Sequence, residues 1–328
     1  MKKDMQTFYK FKHKNPNIEK HSSSGGAFTM LSDEILDAGG IVYGCILNEK
    51  LNAVHMRATC KSERDQMRGS KYIQSNMSGI FAQLGEDMRQ NKTVMFSGTP
   101  CQISAVYNYL QLKKIQTGSL ISVEVICHGV GSNRFFHDYV KNKEEKYHSK
   151  AVSANFRSKY RAGQKQDMTI EFENKKAYHA ASTNLDWFYS IYLRNLILRP
   201  SCYTCKFAKM DREADISIAD FWGGKDSECY SLIVCNSSKG ASLLKNQTAG
   251  KLEEVDKETV HQPHMKAPCD MPKERNQFWN VYLNDGYDAV QTKFGNNTPK
   301  GKIKYCMADM LQSLHLAGIV KKLKIGRR

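Results

Sequence analysis

Short apolar runs alternate with helical patterns through the first 130 residues of this 328-residue chain, and this alternation restricts the folds that it can adopt. Strands that are separated by helices form βαβ units, which build a largely parallel sheet. We therefore predict an α/β fold with a mixed, largely parallel sheet flanked by helices. The predicted strands are residues 41–47, 53–58, 93–96 and 120–126, and the predicted helices begin near residues 28, 78 and 101.

The pattern changes after about residue 132. The predicted elements there are a charged helix (133–147), a hairpin-like stretch (168–172), an aromatic-rich helix (187–196) and a strand (215–218). Periodicity weakens beyond residue 256 until a final helix from about Tyr305. We predict an α/β N-terminal lobe over residues 1–130, a second lobe over residues 131–260, and a C-terminal extension with a basic helix over residues 261–328.

Ten cysteines are a high number for a chain of this length. No apolar run approaches the roughly 20 residues of a membrane helix, and no apolar stretch follows the N-terminal lysines as it does in a secretory signal. We therefore expect a cytoplasmic protein without a transmembrane segment. Because disulfides do not persist in a reducing compartment, clustered cysteines there indicate metal or redox chemistry.

One pair of cysteines lies in a C-x2-C loop, Cys202-Tyr203-Thr204-Cys205. Two thiolates at this spacing can bind one metal ion or one edge of an iron–sulfur cluster. The chain has no second C-x2-C, so a self-contained zinc ribbon is unsupported and other ligands must come from elsewhere. Some loops of this kind in cytosolic proteins bind no metal, and that alternative stays open here.

Two further cysteines follow predicted strands. Cys101 comes directly after Gly98-Thr99-Pro100, where its sulfur lies near the unpaired N–H groups of a helix start, a setting that favours the thiolate. Cys127 ends the next strand, and ligands gather where parallel strands end. The two can therefore approach each other, although both also fit as buried apolar residues. No such setting surrounds the remaining cysteines, which are Cys45, Cys60, Cys229, Cys235, Cys269 and Cys306.

Three segments have the composition of a phosphate or ring-system site. Residues 22–26 (Ser-Ser-Ser-Gly-Gly) open a helix with small residues, which let backbone N–H groups reach a phosphate. The segment is neither a dinucleotide fingerprint nor a P-loop, and a plain helix cap is the alternative. Residues 68–72 (Arg-Gly-Ser-Lys-Tyr) and 156–159 (Phe-Arg-Ser-Lys) place cations beside aromatic rings; the alternative for both is solvated charge.

The formal net charge of +16 indicates either nonspecific binding to polyanions or a specific anionic partner. Part of this charge is the C-terminal sequence KKLKIGRR, which follows an apolar stretch. A basic amphipathic helix of this kind can dock on anionic lipid or on a partner, or can simply be solvated. No nucleic-acid-binding motif is present, so we expect no nucleic-acid partner.

Taken together, these segments resemble the beta-subunit family of coenzyme F420-reducing hydrogenases and dehydrogenases. The matching stretches run in family order over about residues 22–224, roughly two-thirds of the chain. They are SSSGGAFTMLSDEILDAGGIVYG, RGSKYIQS, FSGTPCQISAV, EVICHGVGS, FRSK and RPSCYTCKFAKMDREADISIADFWGG.

This resemblance implies an FAD-binding α/β protein with a 4Fe-4S cluster in its second lobe. The family's motif cysteines correspond to Cys101, Cys127, Cys202 and Cys205, the four thiolates that such a cluster requires. The resemblance also implies flavin contacts, which would be Ser24, Gly25, Gly26, Lys71, Tyr72 and Thr99, with Arg157 and Lys159 as further candidates.

The leading hypothesis is therefore a flavin-dependent oxidoreductase that couples hydride transfer at FAD to one-electron transfer through the cluster. Many relatives carry a further ferredoxin-like segment, and this chain has no cysteine before Cys45. We therefore expect one cluster and a separate redox partner, such as a ferredoxin or a small-molecule hydride donor or acceptor. Relatives occur in surface-polysaccharide gene neighbourhoods, which makes a sugar-linked intermediate a candidate substrate.

Two other hypotheses use the same residues. In the first, the four cysteines bind zinc and stabilise a binding or scaffold protein, because zinc also accepts four thiolates. In the second, Cys101 is a nucleophile that the helix start activates. Neither paired carboxylates nor a Ser/His/Asp order indicates hydrolysis.

Overall fold

The computed structural model describes residues 6–159, 167–180, 186–222, 229–245 and 247–295, together with Ile303, Met307 and Met310. These residues divide into two compact units. The first takes the described residues of Met1–His128 and Thr204–Pro268, and the second takes those of Gly129–Tyr160, Lys165–Tyr203 and Cys269–Arg328. Of the helix predicted from about Tyr305, Met307 and Met310 are described and helical, whereas the basic sequence after them lies outside the described residues.

The described residues form eleven strands and ten α-helices. The strands are β1 (Thr7–His13), β2 (Ile41–Leu47), β3 (Ala53–Ala58), β4 (Val94–Gly98), β5 (Leu120–Val125), β6 (Ala151–Ser158), β7 (Asp167–Phe172), β8 (Ala177–His179), β9 (Ile216–Asp220), β10 (Ser231–Cys235) and β11 (Gly250–Glu254). The helices are α1 (Pro16–Lys20), α2 (Ala27–Asp37), α3 (Lys61–Asp65), α4 (Ile80–Arg89), α5 (Pro100–Leu112), α6 (Asn133–Tyr147), α7 (Trp187–Leu193), α8 (Ser238–Leu244), α9 (Arg275–Asp285) and α10 (Tyr287–Phe294).

The first unit contains an eight-stranded sheet in the order β11-β1-β10-β9-β5-β4-β2-β3. The central strands β9, β5, β4 and β2 are parallel, and antiparallel strands extend the sheet on both sides. This arrangement confirms the predicted α/β class with a mixed sheet. All four central strands end at the same edge of the sheet, because parallel strands run in the same direction.

Helices cover both faces of this sheet. On β4, Val94 and Phe96 pack into one apolar cluster with α4 and α5, while the intervening Met95 packs into another with α2. Successive side chains of a strand point to opposite faces, so this alternation requires apolar cover on each side. All five residues of β4 are buried, as expected for a central parallel strand.

The second unit combines the antiparallel sheet β6-β7-β8 with an aromatic helical core. Asp186 organises this core, since its carboxylate caps α7 through the Tyr189 amide and accepts from the hydroxyls of Tyr139 and Tyr178 at 2.6 and 2.9 Å. Burial raises the pKa of Tyr139 well above its ordinary value, so this phenol stays protonated and donates to Asp186.

Most elements of the first 150 residues lie where the periodicity predicts them. The structure confirms β2, β3 and α6 over Asn133–Tyr147, and it pairs β2 with β3 in antiparallel register. The aromatic-rich helix ends at Leu193, three residues earlier than predicted. The weak pattern after residue 256 conceals α9 and α10, and the N-terminal β1 was not predicted. β1 pairs with β10 and β11, whose residues are more than 200 positions away, so no local signal specifies it.

No helix of the described residues combines the length and the apolar character that a bilayer span requires.

We predict that His55 makes the stability of the first unit acid-sensitive. Its ring stacks on Phe96 and bonds the Ser97 carbonyl through Nε2, and burial lowers the pKa of His55 from 6.5 to about 4. Because the unfolded state takes up this proton first, stability is lost as the pH falls from about 6.5 towards 4, by up to about 3 kcal/mol. Urea unfolding across this pH range measures the loss.

The control for this measurement is His55→Gln, which keeps an amide donor near Ser97 and removes the titrating ring. The free energy of unfolding of this variant should depend less steeply on pH between 4 and 6.5. Equal slopes for the variant and the wild type would refute the assignment to His55.

Candidate metal and cofactor site

Two of the candidate cysteines follow neighbouring parallel strands, and the chain leaves the sheet at the same edge after each strand. Gly98, the last residue of β4, pairs with Glu124 of β5 in parallel register. Cys101 lies three residues beyond Gly98, and Cys127 lies three residues beyond Glu124. The register therefore directs the chain segments that carry Cys101 and Cys127 to the same edge of the sheet; their approach to each other stays a prediction.

The start of α5 holds Cys101 in an exposed position. Thr99 is the N-cap, Pro100 is the first helical residue, and the side chain of Gln102 accepts from the Thr99 amide at 2.9 Å. The Thr99 hydroxyl lies 3.1 Å from Cys101 Sγ. This capping box fixes the first turn, so the thiol projects from a rigid backbone.

Cys202 is held within the second unit against the chain that follows Cys127. Residues 130–132 run beside residues 197–199, with hydrogen bonds from the Arg199 amide to the Val130 carbonyl and from the Ser132 amide to the Ile197 carbonyl. A Cβ at Gly129 would lie 3.3 Å from Cys202 Cβ, so the two backbones are in close contact. Cys127 precedes Gly129 by two residues.

Gly129 allows this approach because it has no side chain and can adopt a φ of +144°. Its carbonyl accepts from the Tyr192 hydroxyl at 2.9 Å, which fixes the peptide from the other side. The sequence places this glycine directly after Cys127-His128 but gives no sign that Cys202 is its neighbour.

Cys205 lies in the first unit, where a buried arginine fixes the segment after it. Arg212 donates to the Phe207 carbonyl at 3.0 Å and forms an ion pair with Glu124 at 3.3 Å. Burial raises the pKa of Glu124, and the charge of Arg212 opposes that rise. Sequence reasoning did not identify Arg212 or Glu124, because 88 residues separate them and neither belongs to a local motif.

None of the nine described cysteines forms a disulfide bond, and Cys306 lies outside the described residues. Burial raises the pKa of Cys45 and raises that of Cys235 to about 11, so both favour the protonated thiol. Within the described part of the chain, no three Cys, His, Asp or Glu side chains converge on a ready-made site for a single metal ion.

The loop before α2 is more tightly packed than an open phosphate cradle. A Cβ at Gly25 would lie 2.1 Å from the Phe11 carbonyl oxygen, so only glycine fits against β1. The Gly25 amide donates to Ser231 Oγ at 2.9 Å, and the Ser24 hydroxyl bonds the same oxygen at 2.8 Å. Gly26 is buried and has a φ of +92°. The predicted flavin contacts of these residues stay predictions.

The ammonium group of Lys71 is hydrogen-bonded to backbone carbonyls. Its Nζ donates to those of residues 66–69 at 2.9 to 3.4 Å. Burial lowers the pKa of Lys71 to about 8, while these carbonyls favour the charged ammonium. The adjacent Tyr72 is half-buried. This segment and Thr99 belong to the first unit, whereas Arg157 on β6 and Lys159 after it belong to the second.

Comparisons with known proteins identify a family and a similar fold. Residues 91–260 match the family model for the coenzyme F420 hydrogenase/dehydrogenase beta subunit, C terminus, which is more than half of the chain. The fold is similar to a chain of the F420-reducing NiFe hydrogenase complex from Methanosarcina barkeri, with a TM-score of 0.53, 18% identity, and coverage of 88% of this chain and 90% of that chain. Comparison with curated proteins gives no match.

We predict that Gly129→Ala lowers the free energy of unfolding by more than Gly79→Ala. Both positions have a positive φ, but a Cβ at Gly79 meets nothing within 4 Å, whereas one at Gly129 lies 3.0 Å from Leu198 and 3.3 Å from Cys202. The additional crowding should cost about 1–3 kcal/mol. Urea unfolding of the two variants measures the difference, and equal losses would show that Gly129 does not need its close approach to Cys202.

Proposed function

Because this chain belongs to the coenzyme F420 hydrogenase/dehydrogenase beta-subunit family, we propose that it is a cytoplasmic oxidoreductase subunit that binds a 4Fe-4S cluster and FAD. In this proposal Cys101, Cys127, Cys202 and Cys205 hold the cluster. Bound FAD would supply hydride chemistry and the cluster one-electron chemistry. The remaining task of the chain is to hold, orient and shield these groups.

The observation that carries the proposal is the parallel pairing of β4 with β5, which takes Cys101 and Cys127 past one sheet edge. The contact of Gly129 with Cys202 supports it further, since Gly129 is two residues from Cys127. Cys205 follows Cys202 in the same short loop. The chemistry of the donor set fits, because four cysteines outside any disulfide can supply the four thiolate ligands of a 4Fe-4S cluster.

The proposed flavin contacts are Ser24, Gly25, Gly26, Lys71, Tyr72, Thr99, Arg157 and Lys159. Thr99 gives the best support, because it caps the helix that carries Cys101 and its hydroxyl lies 3.1 Å from that sulfur. A ring system held by Thr99 would therefore lie beside a cluster ligand. Lys71 would act through its positive charge, and the packing of Gly25 would fix the shape of the loop.

The proposed partner is a separate redox protein or a small hydride donor or acceptor. The solved complex with a similar fold is a hydrogenase made of several subunits, which supports a protein partner. The net charge of +16 favours an acidic partner such as a ferredoxin. Contact through the basic C-terminal sequence remains part of this proposal, as does a sugar-linked substrate.

Anaerobic purification with iron, sulfide and flavin quantitation tests the proposal. We expect about four irons and four sulfides per chain, with flavin absorbance in the same spectrum. Cys101→Ser and Cys127→Ser should each lose most of the iron and sulfide, because each removes one thiolate ligand. Cys60→Ser is the matched control, since Cys60 is exposed but lies at the start of α3, outside the proposed set.

Three results would contradict the proposal. Zinc without sulfide or flavin would favour the scaffold hypothesis. Loss of iron in Cys60→Ser to the same extent as in Cys101→Ser would contradict the ligand assignment. A Cys101→Ser protein that loses activity but keeps its full spectrum would instead indicate a nucleophilic thiol.

A further inference from the structure

We propose that Arg212, paired with Glu124, is a positioning residue for the cysteine site: its guanidinium fixes the segment after Cys205 to the strand that leads to Cys127. This inference rests on the proposed function, because it takes the cysteines as ligands. It assigns a role to a buried ion pair that the cofactor chemistry does not itself require.

Arg212 makes three contacts in different directions. Nη1 donates to the Phe207 carbonyl at 3.0 Å and lies 3.3 Å from Glu124 Oε1, and Nη2 donates to the His264 carbonyl at 3.2 Å. The side chains of Arg212 and Glu124 are 1% and 2% exposed. Solvent therefore does not screen this pair, and neither group can exchange its partner for water.

Two of these contacts reach residues that are close in sequence to a proposed ligand. Phe207 is two residues after Cys205, and Glu124 is three residues before Cys127. Glu124 is itself fixed, since it accepts from the Ser217 hydroxyl of β9 at 2.7 Å. One guanidinium thus anchors the chain beside two ligands to the rigid parallel centre of the sheet.

The third contact, with the His264 carbonyl, connects Arg212 to the residue that follows Cys127. The segment that contains His264 also holds His128, because His264 Nε2 lies 2.8 Å from His128 Nδ1. His128 follows Cys127 directly. Arg212 therefore fixes the chain on both sides of Cys127, through Glu124 before it and through His264 after it.

Stability alone does not account for this pair. Taking two charges out of water offsets most of their attraction, and an apolar pair of similar volume often serves as well. Arg212 Nε is buried and has no hydrogen-bond partner within the described residues, which adds to the cost. A planar guanidinium with donors in several directions is suited to fixing the geometry of several segments at once, which a lysine or an apolar side chain does not do.

The test compares Arg212→Met with Arg64→Met. Arg64 is the matched control, because its side chain is also 1% exposed and pairs with Asp33 at 2.6 Å, in the same unit but on α3. We expect release of iron to a chelator to be roughly 10–100-fold faster in Arg212→Met, as for partners that orient metal ligands. Arg64→Met should lower the free energy of unfolding but leave the release rate and the EPR spectrum of the reduced cluster unchanged.

Two further variants separate positioning from folding. Arg212→Met combined with Glu124→Gln removes the unpaired buried carboxylate, so it should regain stability without regaining the release rate or the EPR spectrum. Arg212→Lys keeps the positive charge but loses the planar guanidinium with its several donors. Its rate of iron release should therefore lie between those of the wild type and Arg212→Met. If the double variant regains the wild-type release rate and the wild-type EPR spectrum, the inference is overturned. The faster release in Arg212→Met would then come from the unpaired carboxylate of Glu124.

The outcomes distinguish this inference from the proposed function. If the wild type holds the cluster and Arg212→Met releases iron no faster than Arg64→Met, the positioning role is wrong and the cysteine assignment stands. If the wild type binds zinc instead, the positioning role predicts that Arg212→Met releases zinc to a chelator faster than Arg64→Met does. A wild-type chain that binds no metal overturns both.

Discussion

The parallel pairing of β4 with β5 is the constraint on which the rest of this structure depends. Its hydrogen bonds set the register from Val94 opposite Leu120 to Gly98 opposite Glu124. That register decides where the chain leaves the sheet, and hence where Cys101 and Cys127 lie. Since both strands are buried on both faces, a slip of one residue would move every apolar side chain to the wrong layer.

Buried carboxylates tie the ends of the central strands together. Near the start of β5, Asp215 accepts from the amide and hydroxyl of Ser122 at 2.9 Å and from the Ser237 hydroxyl at 2.6 Å. At its other end, Glu124 pairs with Arg212. Both carboxylates are hydrogen-bonded, as a buried charge requires.

The chain changes from one unit to the other next to the proposed ligands. One change falls between His128 and Gly129, one residue after Cys127, and another falls between Tyr203 and Thr204, inside the C-x2-C loop. Neither unit therefore contains all four cysteines. In the proposed function, the cluster ligands come from separate parts of the chain, so folding and cofactor loading would be coupled.

The sequence by itself determined the α/β class, the strands β2, β3, β4 and β5, the helix α6, and the strand-end setting of Cys101 and Cys127. These features follow from local periodicity and capping, which act over a few residues. Only the tertiary structure decided the position of β1 between β10 and β11, the packing that requires Gly25, the contact of Gly129 with Cys202, and the pairing of Arg212 with Glu124. Each of these joins residues that are far apart in sequence, so it depends on which surfaces meet after the sheet has formed, and no local pattern encodes that.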